Sequence, residues 1–214
     1  MKTTHHPGAE CLMSCSAGSM PEAFAAIMAT HMAMCPQCQK DLAIMEHIGT
    51  VLFDKIAPAA VAKPAPVAAM MAREAEPDGT ALPAAEGDVP ATLVASVGHH
   101  LDKVSWSRVS PGVWQHRIPL SKGAKGDLRL IKVAPGQKIP QHAHSGEEMT
   151  LVLRGAYDDE TGRYEAGDVA DFYGDVDHAP VADAEAGCIC LIATMGRMKF
   201  KSPLARLIQP LTGF

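Results

Sequence analysis

The chain changes its pattern once, and that break sets what it can fold into. Residues 57–66 read APAAVAKPAP, and residues 77–90 read PDGTALPAAEGDVP. Alanine–proline runs and Pro/Gly-broken acidic stretches make hinges and extended linkers rather than packed elements. Residues 67–76, VAAMMAREAE, suit one short helix between them. The chain is therefore expected to hold two units: residues 1–76, a linker at 77–90, and residues 91–214.

The first unit reads as helical. Gly18-Ser19-Met20-Pro21-Glu22 combines a helix stop with a capping serine and an early proline for the next helix. Residues 22–34 are rich in Ala and Met, good helix formers. Cys35-Pro36 offers another start. Ile44, Ile48, Val51, Leu52 and Ile56 then recur at three- and four-residue steps, which predicts a buried helical face. After Pro90 the runs are short and strand-like: VWQHRI, DLRLIKV, MTLVLRG, GRYEAGDVADF and CICLIAT. Turn signals separate them, as in an all-β sandwich or barrel.

Charge narrows the functions open to the chain. Residues 1–76 carry five Lys/Arg against seven Asp/Glu, residues 77–90 carry three acids and no base, and residues 91–214 carry fourteen of each. No unit has the basic footprint of a nucleic-acid binder. A role in transcription would thus act through another protein. No apolar run reaches the roughly 18 residues of a membrane helix. The N-terminus has no apolar segment behind its lysine, so no secretory signal is expected. Cytoplasm is the expected location. Six cysteines there point to metal or redox chemistry rather than structural disulfides.

Two clusters carry metal chemistry. The first is His31-x3-Cys35-x2-Cys38. Residues four apart share a helix face, so His31 and Cys35 can converge on one ion. Cys38 joins them if the helix continues, or if Pro36 opens a new one. Two thiolates with imidazole suit zinc, which takes four tetrahedral ligands. His5, His6, Cys11 and Cys15 are candidates for the fourth. Such a staple would support a helical unit too small for a large core. The second cluster is Gly136-x5-His142-x-His144-x3-Glu148-x6-Gly155, followed by Gly167, Gly174 and His178. Alternate strand residues point the same way. His142 and His144 share one face, Glu148 adds a carboxylate from the next strand, and His178 follows a later one. Three imidazoles and a carboxylate suit Zn, Mn, Fe or Ni.

The first motif, with His5-His6 upstream, resembles the zinc-binding anti-sigma family. That resemblance implies zinc on His6, His31, Cys35 and Cys38, and a helical domain that wraps an extracytoplasmic-function sigma factor. Residues 127–195 resemble a cupin. The first cupin motif fits throughout; the second has Gly174 and His178 but lacks the usual proline and asparagine. Zinc or another divalent transition metal on His142, His144, Glu148 and His178 is implied. The combination resembles the ChrR subfamily of anti-sigma factors. It implies a zinc-stapled helical bundle followed by a jelly-roll barrel, and a regulator rather than an enzyme. It also implies inhibition of a sigma factor, released on an oxidative signal such as singlet oxygen sensed through the cupin.

Nine of the twelve methionines fall in residues 1–71, as on adaptable partner-binding surfaces. The ligand set also permits a cupin oxygenase or isomerase, with Glu147 or Tyr157 as acid or base. A thiol sensor pairing Cys11 or Cys15 with Cys35 or Cys38 is the other alternative. His47, His99, His100 and His116 lack ligand spacing. Trp106 and Trp114 suit the outer barrel or the domain junction. Cys188 and Cys190 read as small buried strand residues, and Asp158-Asp159-Glu160 as a solvated hairpin loop.

Overall fold

The computed structural model describes residues 3–59, 86–144, 146–172, 177–196 and 198–200. The expected helix at 67–76 and Gly174 lie outside the described residues. Three helices open the chain: α1 (Ala9–Ser16), α2 (Glu22–Met34) and α3 (Pro36–Phe53). Gly18, at φ +63°, turns the chain between α1 and α2. The expected serine cap does not form: Pro21 is the N-cap residue of α2, and the Ser19 hydroxyl bonds back to Ser14. A fourth helix, α4 (Ala91–Val97), and a 3-10 turn (Leu101–Lys103) precede the strands.

The strands are β1 (Ser107–Ser110), β2 (Val113–Arg117), β3 (Asp127–Val133), β4 (His142–His144), β5 (Glu148–Asp159), β6 (Gly162–Glu165), β7 (Val169–Phe172), β8 (Val181–Ala182), β9 (Cys188–Thr194) and β10 (Met198–Phe200). All pair antiparallel. The main sheet runs β1-β2-β3-β9-β5-β6, with β7 and β8 also on β5; β4 pairs with β10. The twelve-residue β5 organises the barrel. Its first half lies between β7 and β9, and its second half pairs with β6 and β8 beyond a bulge near Leu153. The run over 162–172 forms two strands, joined by a turn at the Ala166-Gly167-Asp168 signal.

Strand alternation builds two cores at once. Leu128 and Leu130 of β3 and Ile189, Leu191 and Ala193 of β9 face the helices, with Phe24, Ile27 and Met28 of α2 in the same cluster. The intervening Ile131, Val133, Cys188 and Cys190 face the barrel interior with Val152, Tyr157 and Phe172. Period-two side chains reach opposite faces, and here both faces are covered. Burying each large aliphatic side chain contributes about 1.5–3 kcal/mol. The helices therefore share a core with the barrel.

One helical face departs from expectation. In α3 only Cys38 is buried. Ile44, Ile48, Val51, Leu52, Phe53 and Ile56 are all exposed, up to 73% at Phe53. The three- and four-residue spacing marks an apolar stripe, but no described residue covers it.

Candidate metal centres

The chain brings His6, His31, Cys35 and Cys38 together, with one ligand atom from each lying within 4.8 Å of the others. His6 comes from the extended N-terminal segment and His31 from the last turn of α2. Cys35 occupies the break between helices, with extended backbone (φ −122°, ψ 98°), while its N–H still bonds the His31 carbonyl at 2.8 Å. Pro36 opens α3 and Cys38 sits in its first turn. The two-helix arrangement, rather than one continuous helix, turns both thiols inward.

His6 Nδ1 lies 3.2 Å from Cys38 Sγ and 3.5 Å from Cys35 Sγ. Tetrahedral zinc with N and S ligands has ligand–ligand edges of about 3.3–3.8 Å, given bond lengths of roughly 2.0–2.3 Å. His31 is fully buried. Its Nδ1 donates to the Gly167 carbonyl at 3.0 Å, and its Nε2 has no hydrogen-bond partner among the described residues. A buried, unpartnered imidazole nitrogen is costly unless a cation takes the lone pair. Burial also pushes the His31 pKa down, so the ring stays neutral and able to ligate. Burial and the neighbouring Cys35 thiol push Cys38 up. Two thiolates at this spacing need a cation. The donor set, the spacing and the orphaned nitrogen all fit zinc.

The other candidates for the fourth position go elsewhere. The His5 ring contacts Asp168 Oδ2 at 3.3 Å and stacks near Tyr164. Cys11 Sγ donates to Asp171 Oδ2 of β7 at 3.0 Å. Cys15 is half-buried on α1 and belongs to the core margin.

In the barrel, a cavity of about 380 Å³ is lined by His142, Glu148, His178, Tyr157, Cys188 and Cys190 among others. His142 and His178 pair through backbone hydrogen bonds, and their Nε2 atoms lie 3.0 Å apart. Each ring is oriented from behind: His142 Nδ1 by the Pro140 carbonyl at 2.9 Å, His178 Nδ1 by Asp159 Oδ2 at 3.4 Å. Such outer partners fix tautomer and aim in metal-binding histidines. The buried Glu148 accepts from the Thr150 hydroxyl at 3.3 Å. His144 lies on β4, where its backbone pairs with Met198; its side chain is outside the described residues. The arrangement fits a divalent transition metal.

Asp159 corrects the expectation of a solvated acidic loop. Its carboxylate is fully buried between His178 and Thr161, while Asp158 and Glu160 are exposed. The hairpin pattern hides this, because strand alternation turns Asp159 inward. Glu147 is exposed, whereas Tyr157 is buried on the cavity wall with its pKa pushed well up by burial. Cys188 and Cys190 are buried with sulfurs 3.2 Å apart. Lys132 lies over the rings of both Trp106 and Trp114.

Residues 94–196 match the model of the ChrR Cupin-like domain. The anti-sigma-E factor ChrR of Cereibacter sphaeroides is 36% identical over 212 residues, 98% of each chain. This chain belongs to the ChrR family of anti-sigma factors. The crystal structure of Rhodobacter sphaeroides SigE in complex with the anti-sigma ChrR superimposes with a TM-score of 0.75 at 35% identity, covering 90% of this chain and 99% of that one. Likeness over both the helical and the barrel parts of a ChrR chain indicates that the whole architecture, not the barrel alone, is shared.

Proposed function

We propose that this protein is an anti-sigma factor that binds and inhibits an extracytoplasmic-function sigma factor. It is a regulator rather than an enzyme. The carrying observation is the apolar stripe from Ile44 on α3 to Ile56 just beyond it, which no described residue covers. A continuous exposed patch of this kind marks an interaction surface. The related ChrR is seen in complex with SigE, and its fold is the fold of this chain. An amphipathic helix laid against a partner groove is a recurring recognition mode.

Residues 1–76 form the inhibitory unit in this reading, residues 77–90 the linker and residues 91–214 the sensing domain. Zinc held by His6, His31, Cys35 and Cys38 joins the N-terminal segment, α2 and α3, and so sets the angle at which α3 presents its stripe. A tetrahedral site of this type supplies structure, not catalysis. His142, His144, Glu148 and His178 hold zinc or another divalent transition metal in the barrel. An oxidative signal, singlet oxygen being the family-based candidate, acts at the barrel and lowers affinity for sigma; release requires that the signalled state bind sigma less well. The protein works in the cytoplasm without touching nucleic acid directly. Among the described residues no helix is long and apolar enough to cross a membrane.

The test is a binding titration of the zinc-loaded chain against extracytoplasmic-function sigma factors of its host. One of them is expected to bind stoichiometrically. Ile48→Asp with Leu52→Asp should abolish binding while zinc content and helicity stay at parent levels. If every such sigma factor fails to bind the folded, zinc-loaded chain, the reading is wrong.

A further inference from the structure

Two of the four N-terminal ligands are held in place by the barrel. The turn at residues 165–169, between β6 and β7, reaches into the helical unit. The Gly167 carbonyl accepts from His31 Nδ1 at 3.0 Å, leaving Nε2 aimed into the ligand cluster. Gly167 adopts φ +95°, a conformation that favours glycine and that presents this carbonyl outward. The next residue, Asp168, is 1% exposed. Its Oδ1 accepts from the Thr4 N–H at 2.6 Å and the His5 N–H at 3.0 Å. Its Oδ2 accepts from the Thr4 hydroxyl at 3.1 Å and from the Glu165 N–H of its own turn at 2.9 Å, and contacts the His5 ring. Val169 N–H then bonds the His5 carbonyl at 3.1 Å. Residues 4 and 5 are thereby fixed to the barrel, and His6 follows directly.

A buried carboxylate could satisfy itself within its own turn. Asp168 instead spends most of its acceptor capacity on the N-terminal segment. Each interaction with His31 and with residues 4–5 spans more than 130 residues of sequence. Groups behind a metal ligand set its orientation and basicity, and their loss typically weakens metal binding about 10–100-fold.

We propose that the β6–β7 turn, through the Gly167 carbonyl and the Asp168 carboxylate, is the outer shell of the N-terminal metal site, so that metal affinity there and docking of the barrel on the helices are one coupled equilibrium. This rests on the metal-site reading of His6, His31, Cys35 and Cys38, and not on the identity of the protein partner. Coupling is reciprocal. A shift of the turn loosens the metal, and loss of the metal frees the turn. The barrel thereby has a route to the helical unit that does not run through the linker. Asp168 is a positioning residue in this scheme.

The experiment compares zinc affinity, by chelator competition, in the full-length parent, Asp168→Asn, Thr4→Pro and Ile131→Ala. Thr4→Pro removes an N–H and a hydroxyl donor while leaving the turn's own sequence intact, so it serves if Asp168→Asn misfolds. Ile131→Ala opens the barrel interior on β3, a strand that pairs with β2 and β9 and not with the turn. Cobalt loading gives a second readout: in a Cys188→Ser, Cys190→Ser background, which removes the thiols lining the barrel cavity, the thiolate-to-cobalt band reports the N-terminal site. Asp168→Asn and Thr4→Pro are expected to weaken zinc about 10–100-fold and to alter the thiolate–cobalt band; Ile131→Ala should lower the melting temperature and leave both unchanged. Zinc removal from the parent should speed amide exchange at Val169 but not at Ile131 of β3. Zinc affinity within about twofold of the parent in both outer-shell variants, on the scale of the outer-shell effect, would overturn the coupling. So would an equal loss in Ile131→Ala. A parent with no thiolate–cobalt band sinks the metal reading itself, and failure to bind sigma alone touches neither.

Discussion

His142 Nε2 and His178 Nε2 face each other at 3.0 Å inside the barrel, although 36 residues separate them in sequence. Each Nδ1 is engaged from behind, so the two lone-pair positions converge on the cavity.

The barrel is therefore expected to carry one metal independently of the N-terminal site. Native mass spectrometry should find two metals per chain in the parent and one in His178→Ala. Asp159→Asn, which weakens the support behind His178, should lower barrel-metal affinity about 10–100-fold and leave the thiolate site loaded. Two metals in His178→Ala would remove this residue from the ligand set.

Stability should divide sharply between two isoleucines on neighbouring helices. Ile27 is fully buried between α2 and the sheet, whereas Ile48 is 47% exposed on α3. Ile27→Ala should cost about 2–5 kcal/mol, in line with aliphatic truncations in packed cores. Ile48→Ala should stay within about 0.5 kcal/mol of the parent. Urea denaturation of the two variants measures both. A large cost at Ile48 would mean that the stripe is covered within the free chain.

Removing the thiols should unfold the helices selectively. Cys35→Ser with Cys38→Ser deletes the two sulfur ligands and leaves His6 and His31 without a common ion. Limited proteolysis is expected to cut within α1–α3 while the strands stay protected, since the barrel has its own interior core. Survival of the helical segment in this double variant would show that the shared core suffices without metal.

Acid should reveal one surface carboxylate. Asp183 is held down to about 2 by the Ala186 N–H, then by Arg163 and by the Glu185 N–H. A folded-state value below the unfolded one stabilises the fold above the unfolded pKa of about 4, and that contribution is lost as pH falls from there to about 2. Asp183→Asn should melt below the parent at pH 7, and the gap should close toward pH 2. A gap that is constant with pH would mean that the charge of Asp183 does not matter.

Much was legible in the residues themselves. The change from helix-forming to strand-like runs followed local composition and period, and β3 and β9 coincide with the DLRLIKV and CICLIAT runs because alternation is a local property. His31, Cys35 and Cys38 converge because their spacing is short. The sequence left the first site's fourth member among four residues, however, since that choice depends on where an extended N-terminal segment runs. Tertiary structure brings one of them near: Asp168 and Val169 capture residues 4 and 5, and the His6 ring lies beside the thiols. The stripe on α3 shows the same division. Its period was written in the sequence, but periodicity records only that a face is apolar. Whether it is covered depends on what else the chain brings to it; the barrel covers α2, and the described part of the chain leaves α3 bare. Asp159 is the converse case: an acidic run reads as solvated, yet β5 extends far enough to turn one of its carboxylates inward against His178. Local order follows from side-chain chemistry along the chain, whereas burial and partnership are set by distant segments meeting, and only the folded structure specifies those meetings.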